Sequence, residues 1–262
     1  MERTNLSSAT ASPAASSPEL PEPGGLCAIH QPNFLPRLTT LAKLFAADYW
    51  IVLDDVQFTR RDYQHRARLA GLADPVRHQW LTIPTHLPQG RPTLIRDAVI
   101  AEPAMARRRT AGMLRQHYGA SPHWSVLAET LNPVLDAFTT GRTAAVAEIS
   151  TRVLLDLLGW QGKILTSSQL PSRPGRSQRL ADLAAVTGAR AYLCGTGGMA
   201  YLNEDPFAAR NIAVTPFRPP VINIWSGRRL SALWALAALG PDTVADRLQA
   251  LAADHTVLQP AA

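Results

Sequence analysis

Two pairs of polar side chains near the start of the chain have the chemistry of a catalytic or binding site, and each pair directly follows a short apolar run. His30 and Gln31 follow the first run, and Asp54 and Asp55 follow the second. An imidazole with a pKa of about 6.5 exchanges protons near neutral pH, so His30 is the candidate general acid–base or phosphate ligand. Asp54 or Asp55 would orient that histidine or bind an incoming amine. As an alternative, both would be oxygen ligands of a divalent cation.

The two apolar runs are typical of buried strands, and a helix is predicted between them. Leu26–Ile29 and Tyr49–Leu53 have the length and composition of such strands. Apolar residues at helical spacing over 38–45 predict the helix, while Pro32 and Pro36 exclude a regular helix just before it. This order predicts an α/β fold with a Rossmann-like parallel sheet, in which ligands bind at the carboxyl ends of the strands. Both polar pairs fall at that edge.

A segment dense in arginine, glutamine and histidine follows the second strand. With one asparagine from the earlier loop, its candidate ligand-binding residues are Asn33, Gln57, Arg61, Gln64, His65 and Arg66. Because arginine binds phosphate or carboxylate through two donors, Arg61 and Arg66 are predicted to hold an anionic donor. The net charge of +6 and the pI of about 9.9 permit a nucleotide, a sugar phosphate or RNA as partner. An arginine-biased composition accounts for that charge equally well.

The last third of the chain returns to alternating strands and helices and supplies a second set of candidates. These candidate binding residues are Ser167, Ser168, Arg176, Gly195, Gly197 and Gly198. The serines follow one predicted strand and would bind an anion or cap a helix, and the glycines end the next strand and would let the backbone approach a ligand. Neither stretch has the spacing of a Walker A loop or of a Rossmann fingerprint.

The middle of the chain is predicted to form a mostly helical insertion at about 101–160. A third strand is predicted before it at Trp80–Pro84, and a further strand-like run covers Thr93–Ile100. The predicted helices are Ala104–Tyr118, Trp124–Phe138 and Thr143–Leu158. Their apolar residues have core spacing and carry no site signal.

Composition indicates a globular protein of the cytoplasm. Hydrophobic residues make up 46% of the chain, and no apolar run approaches the roughly 20 residues that span a bilayer. Cys27 and Cys194 lie in apolar runs and are predicted to be buried thiols rather than nucleophiles, and no cysteine and histidine spacing indicates a metal site. Residues 1–25, rich in alanine, serine and proline, have no signal-peptide core and are predicted to form a disordered tail.

Three strings carry a resemblance to a known family: IHQPNFLP, LDDVQFTRRDYQHRARL and WLTIP. With the stretch from LTSSQLPSRPGRSQRL to LSALWALAALG, the chain resembles the WbqC-like family over roughly residues 26–240. The resemblance implies one α/β domain over that range, followed by a C-terminal helix and tail at 241–262. Members of that family are associated with bacterial O-antigen and secondary-metabolite gene clusters, so the resemblance also implies a biosynthetic role.

The chain departs from the family pattern at three places. Arg37 and Thr39 stand where the family usually has an aromatic residue and a glycine, and Trp234 stands where an aspartate is common. A tyrosine and a glutamine that the family carries are not evident around Val221–Trp225. These differences bear on the identity of the substrate more than on the fold.

The function expected from these observations is that of a transferase that moves an acyl or aminoacyl group from an activated, phosphate-bearing donor to an amine such as an amino sugar. The first unit also resembles the nucleotidyltransferase-like Rossmann group, in which a histidine-bearing loop meets ATP phosphates. The first alternative is therefore a nucleotidyltransferase that uses ATP and a divalent cation. The second alternative is a non-catalytic accessory protein that binds a nucleotide or RNA.

Overall fold

The computed structural model describes residues 25–220, 225 and 229–257. The predicted N-terminal tail, apart from Gly25, and the last five residues lie outside these ranges. Within them the strands are β1 (Leu26–His30), β2 (Tyr49–Val52), β3 (Arg66–Ala70), β4 (His78–Thr82), β5 (Thr85–His86), β6 (Val99–Ile100), β7 (Lys163–Thr166), β8 (Ala191–Gly195) and β9 (Ala213–Phe217). The helices are α1 (Leu38–Phe45), α2 (Pro103–Tyr118), α3 (Trp124–Thr130), α4 (Asn132–Asp136), α5 (Thr143–Leu157), α6 (Arg176–Val186), α7 (Thr196–Met199), α8 (Asp205–Ala208), α9 (Ala232–Leu239) and α10 (Pro241–Val257).

The centre of the fold is a five-stranded parallel sheet in the order β7-β2-β1-β8-β9. The chain begins at β1 and moves outward through β2 to β7. It then returns to the other side of β1 with β8 and β9. The order therefore reverses between β1 and β8, and this point is the topological switch point of a doubly wound sheet. The α/β fold with a Rossmann-like parallel sheet is confirmed.

Helices cover both faces of the sheet, which explains why its central strands are continuously apolar. Ala28 and Trp50 belong to the core on one face, which α1, α5, α9 and α10 cover. Cys27 and Ile51 point to the opposite face, where α6 and α8 supply the packing partners. Alternate residues of β1 and β2 thus serve two cores, as the two-residue repeat of a strand requires.

The segment between β2 and β7 contains two small antiparallel pairs and then helices α2–α5. The third predicted strand exists as β4, but it pairs with β3 outside the parallel sheet. The predicted strand at Thr93–Ile100 is wrong for most of its length: it contains a 3-10 turn at Ile95–Asp97, and of its residues only Val99 and Ile100 form a strand, β6. The charged pair within this run, Arg96 and Asp97, is part of that turn.

The single helix predicted at Trp124–Phe138 is also wrong. The structure divides it into α3, α4 and a 3-10 turn at Ala137–Thr140. Pro133 lies in the first turn of α4, where its missing N–H is tolerated, but it cannot continue the hydrogen-bond ladder of α3. The two other predicted helices of this region correspond to α2 and α5. In the part of the chain that the structure describes, the helices are too short or too polar for one to cross a bilayer.

Candidate functional site

The switch point between β1 and β8 opens into a cavity of about 1030 Å³. Of the residues predicted from the sequence to form a site, seven line it: His30, Gln31, Asn33, Arg176, Gly195, Gly197 and Gly198. The lining comes from the loop after β1, the first turns of α1, the start of α6 and the glycine-rich segment after β8. This is the position at which open α/β sheets bind ligands, and the volume is at the upper end for small-molecule sites.

A network of hydrogen bonds from α5 holds the loop between β1 and α1. Ser150 accepts a hydrogen bond from the backbone N–H of Leu35 at 2.8 Å, and Thr151 donates to the backbone oxygen of Asn33 at 3.0 Å. Leu35 has a φ of 45°, which is a strained conformation for a residue with a branched side chain. Because α5 fixes this loop, the side chains of Asn33 and Arg37 are presented to the cavity in one arrangement.

His30 is a neutral imidazole at physiological pH. Its Nδ1 donates to the backbone oxygen of Gln31 at 2.7 Å, which leaves the lone pair of Nε2 available as an acceptor. Burial, and then the charge of Lys43, lower the pKa of His30 to about 3, and Arg37 contributes in the same direction. This value lies below the 6.5 of a free imidazole, and Nε2 of the neutral ring can accept a proton.

Among the residues that the structure describes, five cationic side chains line the cavity, and sequence reasoning identified one of them. Lys43 lies on its floor, Arg37 is half-buried, and Arg176, Arg218 and Arg229 are exposed at its rim. None of the five forms an ion pair with another described residue, and Asp62 is the carboxylate among the lining residues. A concave surface of one charge sign attracts ligands of the opposite sign, so the cavity favours an anion.

Lys43 is the residue that the sequence analysis should have singled out. It is 5% exposed, and its Nζ lies 3.4 Å from the backbone oxygen of Ile29. Burial lowers the pKa of Lys43 to about 8, against which the nearby Cys194 and Cys27 act weakly in the other direction. The chain has two lysines among 26 basic residues, and one of them lies on the apolar face of α1. A lysine at a core position in an arginine-biased chain was the available signal.

The glycine-rich segment after β8 forms the opposite wall. A Cβ at Gly198 would lie 2.7 Å from Sγ of Cys194, whereas Cβ atoms at Gly195 and Gly197 would meet nothing within 4 Å. Gly198 is therefore required by packing, and the other two glycines leave space. Cys194 lines the cavity but is 1% exposed, and burial raises the pKa of its thiol. Both cysteines are buried thiols, as predicted.

Asp54 and Asp55 do not line this cavity but join a second cluster at the ends of β2 and β7. Asp54 accepts hydrogen bonds from Ser167 Oγ at 3.1 Å, Ser168 Oγ at 2.8 Å and the Ser168 backbone N–H at 3.1 Å. Asp55 accepts a hydrogen bond from Ser167 and forms an ion pair with Arg179 of α6. All four residues were site candidates in the sequence. In the structure they contact one another, and their hydrogen bonds and the ion pair with Arg179 are made within the fold.

The carboxylates of this cluster already have partners within the fold. Burial would raise the pKa of Asp55, but hydrogen bonds from Ser167 and Arg179 and the charge of Arg179 outweigh it and lower the pKa. The carboxylates are thus compensated by hydroxyls and a guanidinium. Among the residues that the structure describes, no three acidic, histidine or cysteine side chains come together as a metal site would need.

The remaining candidates follow β2 and are used mainly for local structure. Gln64 is 1% exposed and donates to the side-chain oxygen of Gln31 at 2.7 Å, which links it to the cavity wall. Arg66 donates to the backbone oxygens of Arg61 and Asp62, and its guanidinium lies 4.4 Å from the ring centroid of Trp80. Neither Arg61 nor Arg66 lines the cavity.

Two further candidates of this segment also lie away from the cavity lining. The side chain of Gln57 is exposed and donates to the backbone oxygen of Arg91 at 2.6 Å. His65 is buried beside Phe58, with ring centroids 5.2 Å apart, and burial lowers its pKa to about 4. A ligand role for these residues stays a prediction.

The departures from the family pattern fall at different places in the structure. Arg37 and Thr39 both line the cavity, and Arg37 lies 4.4 Å from the ring centroid of Tyr63. Trp234 is packed against the core in α9. The stretch around Val221–Trp225 lies outside the described residues except for Trp225. The departures at the start of α1 are therefore the ones that line this cavity.

Comparison with known proteins gives one family and one relative. A family model described as "WbqC-like protein family" matches residues 31–223. An uncharacterized protein of Mycobacterium tuberculosis, Rv1507c, is 26% identical over 193 residues, which cover 72% of this chain and 80% of that protein. No solved structure matches the chain significantly.

Proposed function

The chain belongs to the WbqC-like protein family, and from that premise we propose that it is a transferase of secondary-metabolite or surface-glycan assembly. It takes an acyl or aminoacyl group from an activated, phosphate-bearing donor and passes it to an amine such as an amino sugar. The observation that carries the proposal is the cavity at the switch point, whose described lining contains five cationic side chains and one carboxylate. Charge of this kind suits an anionic donor, and the volume leaves room for an acceptor beside it.

The donor's phosphate binds where α1 begins. Thr39 and Thr40 line the cavity in the first turn of α1, and no side chain caps that helix. A helix N-terminus favours negative charge. Two cationic side chains flank this turn: Arg37 directly precedes it, and Lys43 follows it within α1. Charge-assisted hydrogen bonds of this type are each worth about 1.5–3 kcal/mol, so three or four of them support a useful affinity.

The chemical step uses the neutral ring of His30. The amine nitrogen attacks the acyl carbon, the bond from that carbon to the donor's leaving atom breaks (oxygen in an acyl phosphate or adenylate, sulfur in a thioester), and the amine proton passes to Nε2 of His30. The proton must then leave the ring for solvent or for the leaving phosphate before the next turnover. Since the charges of Lys43 and Arg37 help to lower the pKa of His30, an anion that offsets them raises it. The base is therefore stronger when the donor is bound.

Asp62 orients the acceptor, and Asp54 and Asp55 act at a distance. As the carboxylate of the cavity lining, Asp62 accepts a hydrogen bond from the neutral amine of the acceptor and so directs its lone pair toward the acyl carbon. Asp54 and Asp55 fix the turn after β7 and the helix α6, whose first residue, Arg176, reaches the rim. Their contribution to turnover is thus the position of that rim.

The test is formation of an amide product by the full chain, measured by mass spectrometry. The donors are an aminoacyl adenylate, an acyl phosphate and an acyl coenzyme A, each offered with an amino sugar. We expect product with the wild type and none with His30→Ala. His117→Ala is the matched control, because His117 is also half-buried and also directs Nδ1 to a backbone oxygen, but lies away from the cavity. Equal product from both variants would remove His30 from the mechanism.

Nucleotidyl transfer is the second candidate, and one observation favours it. The histidine-bearing loop that follows the first strand enters the switch-point cavity beside the N-terminus of α1. The two reactions differ in their by-product. Release of pyrophosphate from ATP that requires Mg²⁺ would replace the acyl-transfer proposal, whereas retained ligand binding without turnover would favour an accessory protein.

A further inference from the structure

We propose that the cavity binds a nucleoside diphosphate group in one orientation, with its base stacked on Tyr201 at the rim and its phosphates over Arg37 and Lys43. The inference rests on the proposed function, because it names the class of donor that enters the same site. It adds a residue, Tyr201, that neither the sequence motifs nor the acyl-transfer chemistry requires.

Tyr201 is an exposed aromatic side chain at the mouth of a cationic cavity. It is 73% exposed and lines the cavity, whereas the other large apolar side chains that are exposed in the described residues, Val76, Met105, Val126 and Leu239, do not. The guanidinium of Arg176 lies 5.6 Å from its ring centroid, so the ring is oriented at the rim by a cation that a bound base can also contact. Stacking on an aromatic ring accepts any base, because every base has a π-face.

The floor of the cavity has the opposite character. Asn33, Thr40 and Lys43 are 3%, 5% and 5% exposed, and all three line the cavity. The side-chain oxygen of Asn33 has no hydrogen-bond partner in the structure. Lys43 donates one long hydrogen bond to the backbone oxygen of Ile29 and has no ion pair with a described residue, so the burial of its charge and of the Asn33 oxygen is unfavourable unless a ligand completes their interactions. Anionic oxygens on the floor would satisfy Lys43, and a hydroxyl such as that of a ribose would satisfy Asn33.

The wall between rim and floor has open space at two glycines. Gly195 and Gly197 line the cavity, and a Cβ at either would meet no atom within 4 Å. An elongated ligand can therefore lie along this segment, from the ring of Tyr201 toward the amine of Lys43. The polarity of the cavity, an aromatic rim and a cationic floor, matches a molecule with a ring at one end and phosphates at the other.

Calorimetric titration of the full chain with ADP and with inorganic pyrophosphate tests the orientation. We expect Tyr201→Ala to weaken ADP binding roughly tenfold, within the range of one stacking contact, and to leave pyrophosphate binding unchanged. Tyr201→Phe should keep the affinity for ADP, because the ring remains. Lys43→Met should weaken both ligands. Met105→Ala, an exposed side chain on α2 outside the cavity, is the control for surface substitution. Thermal melts of each variant exclude loss of folding as the cause.

The outcomes separate this inference from the proposed function. If pyrophosphate binds but Tyr201→Ala leaves the affinity for ADP unchanged, the stacking inference is wrong and the anionic-donor site stands. If neither ligand binds the wild type, both fail. A titration with coenzyme A, which carries the same adenosine diphosphate group, identifies the source: tighter binding than ADP assigns the site to a coenzyme A thioester, and weaker binding assigns it to a free or sugar-linked nucleotide.

Discussion

Two neighbouring places at one edge of the sheet compensate charge in opposite ways. At the ends of β2 and β7, the carboxylates of Asp54 and Asp55 are matched by serine hydroxyls and by Arg179. At the ends of β1 and β8, five cations surround a cavity and none is paired with a described carboxylate. The first arrangement is complete within the chain. The second has no anionic partner among the residues that the structure describes.

The difference shows why polar residues at strand ends do not by themselves locate a ligand. A buried charge is tolerated when its partners come from the fold, and such a cluster contributes to stability. A buried charge that has no partner reduces stability, so its retention needs another reason. Asp54 is an example of the first case. Lys43 is close to the second, because its one hydrogen bond, to the backbone oxygen of Ile29, is long and no described carboxylate pairs with it.

The largest expected change in the free energy of unfolding comes from a substitution that breaks the carboxylate cluster. Asp55→Ala removes the partner of Arg179 and of Ser167, so we expect it to lower the free energy of unfolding by about 3 kcal/mol. Asp62→Ala is the matched variant in the cavity and should cost less than about 1 kcal/mol, since that carboxylate accepts one local hydrogen bond, from the N–H of Tyr63. Urea unfolding measures both.

A second variant checks the cause of that loss. In Asp55→Ala/Arg179→Met the unpaired guanidinium is gone, so the double variant should be more stable than the sum of the single losses. If instead Asp55→Ala leaves stability intact and weakens ligand binding, the carboxylate cluster is part of the site and the comparison is wrong.

The next effect is a gain in stability at the cavity floor. Lys43→Met replaces a buried, unpaired cation by an apolar side chain of similar length, so we expect the free energy of unfolding at pH 7 to rise by about 2 kcal/mol. The affinity for pyrophosphate should fall at least about tenfold, since about 1.4 kcal/mol corresponds to that factor. Lys163→Met, the same change at the other lysine, should leave that affinity unaltered because Lys163 does not line the cavity. A destabilised Lys43→Met protein would show that the amine is satisfied by the fold.

The pH dependence of this gain is the third prediction. The pKa of Lys43 is about 8 in the folded protein and about 10.5 when the chain is unfolded. Between these values the unfolded chain binds more protons, so the contribution of Lys43 to stability rises with pH. The advantage of Lys43→Met over the wild type should therefore be largest below pH 8 and shrink as pH rises toward 10.5. Taking the difference between the two proteins removes the opposite trend from Cys27, whose pKa is raised to about 12.

The part of the fold that the sequence predicted is the part with the most uniform burial. β1, α1 and β2 were placed within one or two residues, because both central strands are buried on both faces and consist of apolar residues alone until they end. β9 was not predicted. It is half-exposed at the edge of the sheet and contains Pro216, which an edge strand accepts but which argues against a strand in the sequence.

The site residues that directly follow a strand were predicted from the sequence. Residues that reach the cavity only through the arrangement of distant segments were missed. His30 and Gly195 follow strands directly, so their position at the ligand-binding edge could be deduced. Tyr201 reaches the cavity because the chain crosses from β7 to β8 on the far side of β1, and no local pattern encodes that crossing. Lys43 lies on the helix after β1, and its position among core residues was the signal that was overlooked. Asp54 was predicted at the correct edge of the sheet. It follows β2, however, which is one strand away from the switch point between β1 and β8.

The smallest expected effect concerns the arginines after β2, which the sequence favoured as donor ligands. Arg66 donates to two backbone oxygens and lies on Trp80, contacts that a lysine reproduces only in part, so Arg66→Lys should lower the free energy of unfolding by about 1 kcal/mol. The exposed Arg61 offers the matched control, and Arg61→Lys should change nothing measurable. Neither variant should alter the affinity for pyrophosphate measured by calorimetry at two salt concentrations, because neither guanidinium lines the cavity. A loss of affinity in Arg66→Lys with unchanged stability would extend the anion site beyond the switch point, and the contrast between a compensated and an uncompensated strand end would no longer separate structure from function.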